Sequence, residues 1–137
     1  MKIRHALTTG LAGAALVVGL TGGTANATSS WTGYRTPADV AGATAWGQID
    51  PDGVRITLDV NIKDTNTGDA YGARVRIRTT YNDGGVRPES LSASNTSPVN
   101  HTTWNYAGNA IRFEIMECTT KAGADYRCGS WYTIWQR

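Results

Sequence analysis

The strongest constraint on the fold is a strict alternation of apolar and polar side chains between residues 54 and 63. One set of positions holds only aliphatic residues: Val54, Ile56, Leu58, Val60 and Ile62. The other set holds only polar or charged residues: Arg55, Thr57, Asp59, Asn61 and Lys63. Because successive side chains of a strand point to opposite faces, this pattern predicts a β-strand with one face in a core and one in water.

The same period recurs along the chain between groups of turn-forming residues. Turns are predicted at 50–53, 82–85 and 107–109, where Asp, Asn, Pro and Gly cluster. Further strands are predicted at 43–49, 74–81, 102–106, 111–116 and 128–135, with a short edge strand around Leu91. Only residues 37–41 carry a weak helical signal. The sequence therefore predicts an all-β fold, a single small antiparallel β-sandwich or barrel of six to seven strands.

A cleaved signal helix is expected to precede this domain. Lys2, Arg4 and His5 form a positive start, residues 6–20 are uncharged and mostly apolar, and Ala25-Asn26-Ala27 offers small residues for a peptidase. The apolar run is shorter than the roughly 20 residues that span a bilayer, so no stable membrane anchor is expected. We therefore predict a secretory signal peptide at 1–27 and a secreted, extracellular product.

Two regions are predicted after the leader. Residues 28–42 are polar and form either a first strand or a flexible N-terminal segment, and residues 43–137 form the β-sandwich domain. Loss of Lys2 and Arg4 with the leader lowers the number of basic residues from 13 to 11, which equals the number of acidic residues. A neutral mature chain offers no electrostatic reason to expect nucleic acid or an anionic membrane as partner.

The two cysteines, Cys118 and Cys128, both lie in the mature domain. In an exported protein such a pair is usually oxidised, and nine intervening residues are far from a metal-binding C-x-x-C spacing. We expect a disulfide that contributes about 2–3 kcal/mol by restricting the unfolded chain.

The mature chain carries few groups with the spacing of a catalytic or metal site. Its single histidine, His101, is predicted to lie in a solvated loop. Glu114 and Glu117 are expected to face opposite sides of one strand, with Glu114 paired to an arginine. Residues 64–69 resemble a calcium loop only at their first and third positions, and a strand-connecting turn is the simpler interpretation. The chain is expected not to be an enzyme and to hold no metal or cofactor.

Aromatic and basic side chains are the candidate binding groups. Arg74, Arg76 and Arg78 share one face of a predicted strand, where they would meet an acidic partner or be balanced by acids such as Asp59 on the next strand. Four of the five tryptophans are expected in the core: Trp46, Trp104, Trp131 and Trp135. Trp31 and Tyr34 lie in the polar N-terminal segment and are expected to be exposed contacts.

The chain resembles small exported β-proteins of Streptomyces-like actinobacteria. The resemblance rests on the Ala/Gly-rich leader, the strands D-G-V-R-I-T-L-D-V (52–60) and R-V-R-I-R (74–78), and a late strand that ends in Cys118 with a second cysteine after it. It implies secretion and a β-sandwich and supplies no active site. Some proteins of this type are accessory subunits of secreted assemblies, including umbrella-shaped toxin particles, and dock through an N-terminal strand.

These observations lead to one functional hypothesis and two alternatives. The main hypothesis is a secreted, non-enzymatic interaction protein or accessory subunit, with another secreted protein as partner. The first alternative is a module that binds carbohydrate or cell wall, since tryptophan and tyrosine also stack on sugars. The second is a small secreted enzyme inhibitor that presents the loop at 119–127.

Overall fold

The computed structural model describes residues 27–137, so the leader predicted at 1–27 lies outside the described residues except for Ala27. The described part is all-β, with nine strands and no α-helix. The strands are β1 (Ser29–Thr32), β2 (Ala43–Pro51), β3 (Arg55–Asp64), β4 (Gly72–Tyr81), β5 (Val86–Ala93), β6 (Val99–Ala107), β7 (Ala110–Lys121), β8 (Ala124–Cys128) and β9 (Tyr132–Gln136).

The strands form two antiparallel sheets. Sheet A has the order β1-β2-β3-β6, and sheet B has the order β5-β4-β7, with β8 and β9 both paired to the far side of β7. The chain changes sheet after β3, after β5 and after β6, as in a β-sandwich. The prediction of a small antiparallel β-sandwich is confirmed.

The alternation at 54–63 is confirmed as strand β3. Its aliphatic residues from Ile56 to Ile62 are fully buried against sheet B, and its polar residues face outwards. Val54 is the exception, because it lies in the turn before β3 and is 78% exposed. In that turn the Asp52 carboxylate accepts the backbone N–H groups of Val54 and Arg55, which stabilises the tight connection.

The expectation of six or seven strands was too low. Residues 28–42 supply a first strand, β1, which pairs with β2 from Ser29↔Ile49 to Thr32↔Trp46. The expected strand at 128–135 is two strands, because the chain bends at Gly129 and Ser130 between β8 and β9. Strand β7 has 12 residues and is long enough to pair with both in succession. The weak helical signal at 37–41 corresponds to turns.

The core is mainly aliphatic, and the expected distribution of the tryptophans is wrong. Isoleucine, leucine, valine and alanine side chains of β2, β3, β4 and β7 fill the space between the sheets, together with Tyr106 and Phe113. Trp31 is 7% exposed and belongs to this core, whereas Trp46 is 37% exposed. Trp104 and Trp135 are only partly buried at the edge of the core.

The predicted disulfide is confirmed. Cys118 and Cys128 are directly opposite each other on β7 and β8, with their Cα atoms 4.1 Å apart. The bridge joins the β7–β8 hairpin at the end away from its turn. The turn itself contains Ala122 and Gly123, which have positive φ values of 50° and 79°. From residue 27 to 137, no helix has the length and apolar character needed to cross a membrane.

Candidate binding face

The arginine side chains predicted as a stripe lie together on the outer face of sheet B. Arg74, Arg76 and Arg78 alternate with the buried residues Val75 and Ile77 along β4, the middle of three long strands. We call this surface the arginine face. Strand β4 holds the arginines in a row because β5 and β7 fix its register on both sides.

The acids that balance these arginines come from β7 and β8. Asp125 contacts both Arg74 at 2.9 Å and Arg76 at 2.7 Å. Glu114 accepts two hydrogen bonds from Arg78, at 2.8 and 3.0 Å, which lower the pKa of its carboxyl group. The proposed balance by Asp59 is wrong, because Asp59 lies on β3 in the other sheet.

The arginine face keeps an excess of positive charge. Arg112 also lies near Glu114, with 3.5 Å between Nε and Oε2, so that four guanidinium groups share the carboxylates of Asp125 and Glu114. The side chain of Arg76 is 46% exposed. Exposed ion pairs contribute at most about 1 kcal/mol each, so a partner carboxylate can compete for Arg76, the most exposed of these arginines, at small cost.

A groove borders the arginine face and is partly apolar. Its volume is 380 Å³, and its walls are formed by Arg76, Ile77, Arg78, Val86, Pro88, Glu89, Ser90 and Trp131. The Glu89 carboxylate is paired with Arg87. The guanidinium carbon of Arg78 lies 4.3 Å from the ring centroid of Trp131, which is a cation–π contact. The groove therefore offers a flat aromatic surface and an apolar wall beside cationic groups, the mixture typical of binding hot spots.

The strand edge beside this groove is linked to the other sheet by two side-chain hydrogen bonds. Arg87 of β5 donates to the carbonyl of Asn105 on β6, and Asn100 of β6 donates to the carbonyl of Ser92 on β5. These two bonds connect the edge strands of the two sheets.

Trp31 and Tyr34 do not form one contact surface. Trp31 points into the core from β1 and packs over Gly47, whereas Tyr34 is 52% exposed in the turn that follows. In this turn Arg35 has a positive φ of 60° and its guanidinium lies 5.1 Å from the Tyr34 ring. Only Tyr34 has the exposure that the prediction required. Trp31 was misassigned because it is the one large apolar side chain in its strand, so that no alternation marks it.

Glu114 and Glu117 lie on opposite sides of β7, as expected, and the carboxylates of the 64–69 turn accept hydrogen bonds from nearby backbone N–H groups. Glu114 faces outwards with the arginines, and Glu117 points into the core and is fully buried. In the 64–69 turn the carboxylates of Asp64 and Asp69 accept the backbone N–H groups of Asn66 and Tyr71. These side chains stabilise a connection between β3 and β4, as the simpler interpretation predicted.

His101 is exposed, but it lies in strand β6 and not in a loop as predicted. Its Nε2 atom is 3.8 Å from Oδ1 of Asp59 on the outer face of sheet A. The predicted strand at 102–106 begins at Val99, because Val99 and Asn100 continue the pairing with β3.

Trp131 and Asp125 are the site residues that the sequence did not reveal. Both lie in the segment that folds back over β7, and their approach to β4 depends on the disulfide and on the bend at Gly129. Asp125 lies in the loop between the cysteines, at 119–127, for which the sequence suggests only an inhibitory role. That segment forms the β7–β8 hairpin, and its inhibitory role stays a prediction.

No protein-family model matches the chain, and no curated protein is significantly similar to it.

Proposed function

We propose that this domain is a secreted, non-enzymatic binding protein whose arginine face holds an acidic segment of another extracellular protein. The observation that carries the proposal is the juxtaposition of four guanidinium groups, two carboxylates and the Trp131 groove on one face of a rigid sheet. Secretion is part of the proposal. The oxidised Cys118–Cys128 pair supports it, since disulfides persist in oxidising compartments.

The chemistry of the face favours a partner that carries both carboxylates and an apolar side chain. Arginine binds a carboxylate through two parallel N–H donors, as Arg78 already does with Glu114. An apolar side chain would contact Trp131, Val86 and Pro88 in the groove. The arginines would then orient the partner and speed its association, and the groove would provide most of the binding free energy.

The experiment is a pull-down with the mature protein, tagged at its C-terminus and expressed in its native host. We expect one stoichiometric partner from culture supernatant, and mass spectrometry should show an acidic segment in it. Arg76→Glu and Trp131→Ala should each reduce its recovery at least about tenfold. Lys63→Glu is the matched control, since Lys63 is an exposed cation on a strand of the other sheet.

Two results would contradict the proposal. Recovery of the mature protein as a lone monomer would remove the expected partner. Equal recovery of a partner with wild type, Arg76→Glu and Trp131→Ala would show that the protein binds through another surface. Circular dichroism of each variant separates lost binding from lost folding.

A further inference from the structure

The outer face of sheet A carries a second set of side chains that the proposed function does not use. The pairing register aligns them in two rows across four strands. The first row is Thr32, Trp46, Asn61 and His101, and the second row is Ser30, Gln48, Asp59 and Thr103. We infer that this surface, the Trp46 face, binds an uncharged polysaccharide.

Trp46 provides the aromatic part of the site. It is 37% exposed and lies near the centre of the sheet, with polar side chains on the strands at both sides. A groove of 310 Å³ runs beside it and is lined also by Gln48, Asp59, Asn61 and His101. The C–H side of a sugar ring stacks on such an indole, because the indole offers a flat apolar surface at low entropy cost.

Hydrogen bonds hold several of the surrounding polar side chains in place, and these side chains keep other donors and acceptors available. Oδ1 of Asp59 accepts a hydrogen bond from Thr103 at 2.5 Å, and among the described residues its Oδ2 accepts none. Asn61 donates through Nδ2 to the carbonyl of Trp46 at 3.3 Å, which leaves Oδ1 as an acceptor. The Gln48 side chain is exposed and lines the same groove. Hydroxyl groups of a sugar both donate and accept, and they match this set.

The charge of the Trp46 face distinguishes its ligand from that of the arginine face. The two rows contain a single carboxylate and a single imidazole, and no arginine or lysine. An anionic polymer would gain nothing here, whereas a neutral chain of sugars would meet amides, hydroxyls and one acceptor carboxylate. The chemistry therefore selects an uncharged, hydroxyl-rich ligand.

The test is isothermal titration of the mature protein with hexasaccharides of glucose, of xylose and of N-acetylglucosamine, to about 10 mM, which detects a Kd of about 1 mM. We expect at least one of them to bind. Trp46→Ala should weaken that binding at least about tenfold, and Trp46→Phe should retain most of it. Tyr126→Ala is the matched control, because Tyr126 is an exposed aromatic residue on β8, away from sheet A.

Two outcomes would overturn the inference. The first is no heat of binding with any of the three sugars, and the second is an affinity that Trp46→Ala leaves unchanged. Near-ultraviolet circular dichroism verifies that the variants fold. Partner recovery and sugar binding are separate measurements on opposite sheets, so the failure of one proposal does not imply the failure of the other.

Discussion

Glu117 is the residue whose surroundings depart most from those of a typical carboxylate. It is fully buried, and its Oε1 atom accepts the backbone N–H of Ala45 at 2.7 Å. Its Oε2 atom is buried without a hydrogen-bond partner among the described residues. Burial raises the pKa of Glu117 from 4.5 to about 7, and the nearby Asp39 acts in the same direction, whereas the Ala45 hydrogen bond opposes it. The folded protein therefore holds a proton that the unfolded chain releases.

This proton makes stability depend on pH. Since the folded pKa is the higher one, the stabilising effect is complete below 4.5 and is lost as the pH rises through about 7. We expect the wild type to lose about 3 kcal/mol of unfolding free energy between about pH 4.5 and about pH 8 through this group. Glu117→Gln should remove this loss, because a neutral amide cannot ionise.

Urea unfolding of both proteins at both pH values measures the effect. The difference between wild type and Glu117→Gln isolates Glu117 from other titrating groups. Equal pH dependence of the two proteins would contradict the prediction and would show that Glu117 is ionised in the fold.

Among the strands, β1 is an example that the alternation of apolar and polar residues could not predict. Its four residues contain one large apolar side chain, so that a period of two cannot be detected. Its position at the edge of sheet A follows from pairing with β2, which is a tertiary contact. By contrast β3 and β4 were predictable, because each alternates over eight or more residues. The arginine face followed directly from that alternation, whereas Trp131 and Asp125 approach it through a bend that no local pattern encodes.

The burial of Trp31 changes what a substitution in β1 should do. Trp31→Ala should lower the free energy of unfolding by about 3–5 kcal/mol, since it leaves a large cavity between the sheets. Tyr34→Ala should change it by no more than about 0.5 kcal/mol, because that ring is mostly in solvent. Denaturant unfolding of the two variants tests this contrast. Similar midpoints for Trp31→Ala and wild type would mean that the indole is not part of the core.

At the scale of the whole molecule, charge is separated although residues 28–137 carry equal numbers of basic and acidic side chains. The arginine face carries two more guanidinium groups than carboxylates, and the outer rows of sheet A carry no such excess. Composition provides only the net charge. The net charge does not reveal this separation, because the separation depends on which strands share a sheet. The two faces lie on opposite sides of the sandwich, so a ligand on one would leave the other accessible.

This separation predicts chromatographic behaviour that a neutral protein would not show. Residues 28–137 should be retained on an immobilised polyanion at low ionic strength and released above about 0.1 M salt, where the Debye length falls to about 10 Å. Arg76→Glu should elute earlier than Lys63→Glu. Passage of the wild type without retention at low salt would show that the ion pairs neutralise the arginine face.

The order of strands in the two sheets also determines when the chain can fold as it is synthesised. Sheet A is completed by β6, which pairs Ala107 with Arg55, and sheet B is built on β7, which pairs with β4, β8 and β9. Until β7 is available, the aliphatic faces of β2 and β3 are covered only by β4 and β5, and the centre of sheet B is missing. Such pairings between distant segments make folding slow and expose apolar surface in the meantime. The complete core therefore requires the last quarter of the chain, and we expect folding to follow its release as one late, cooperative step.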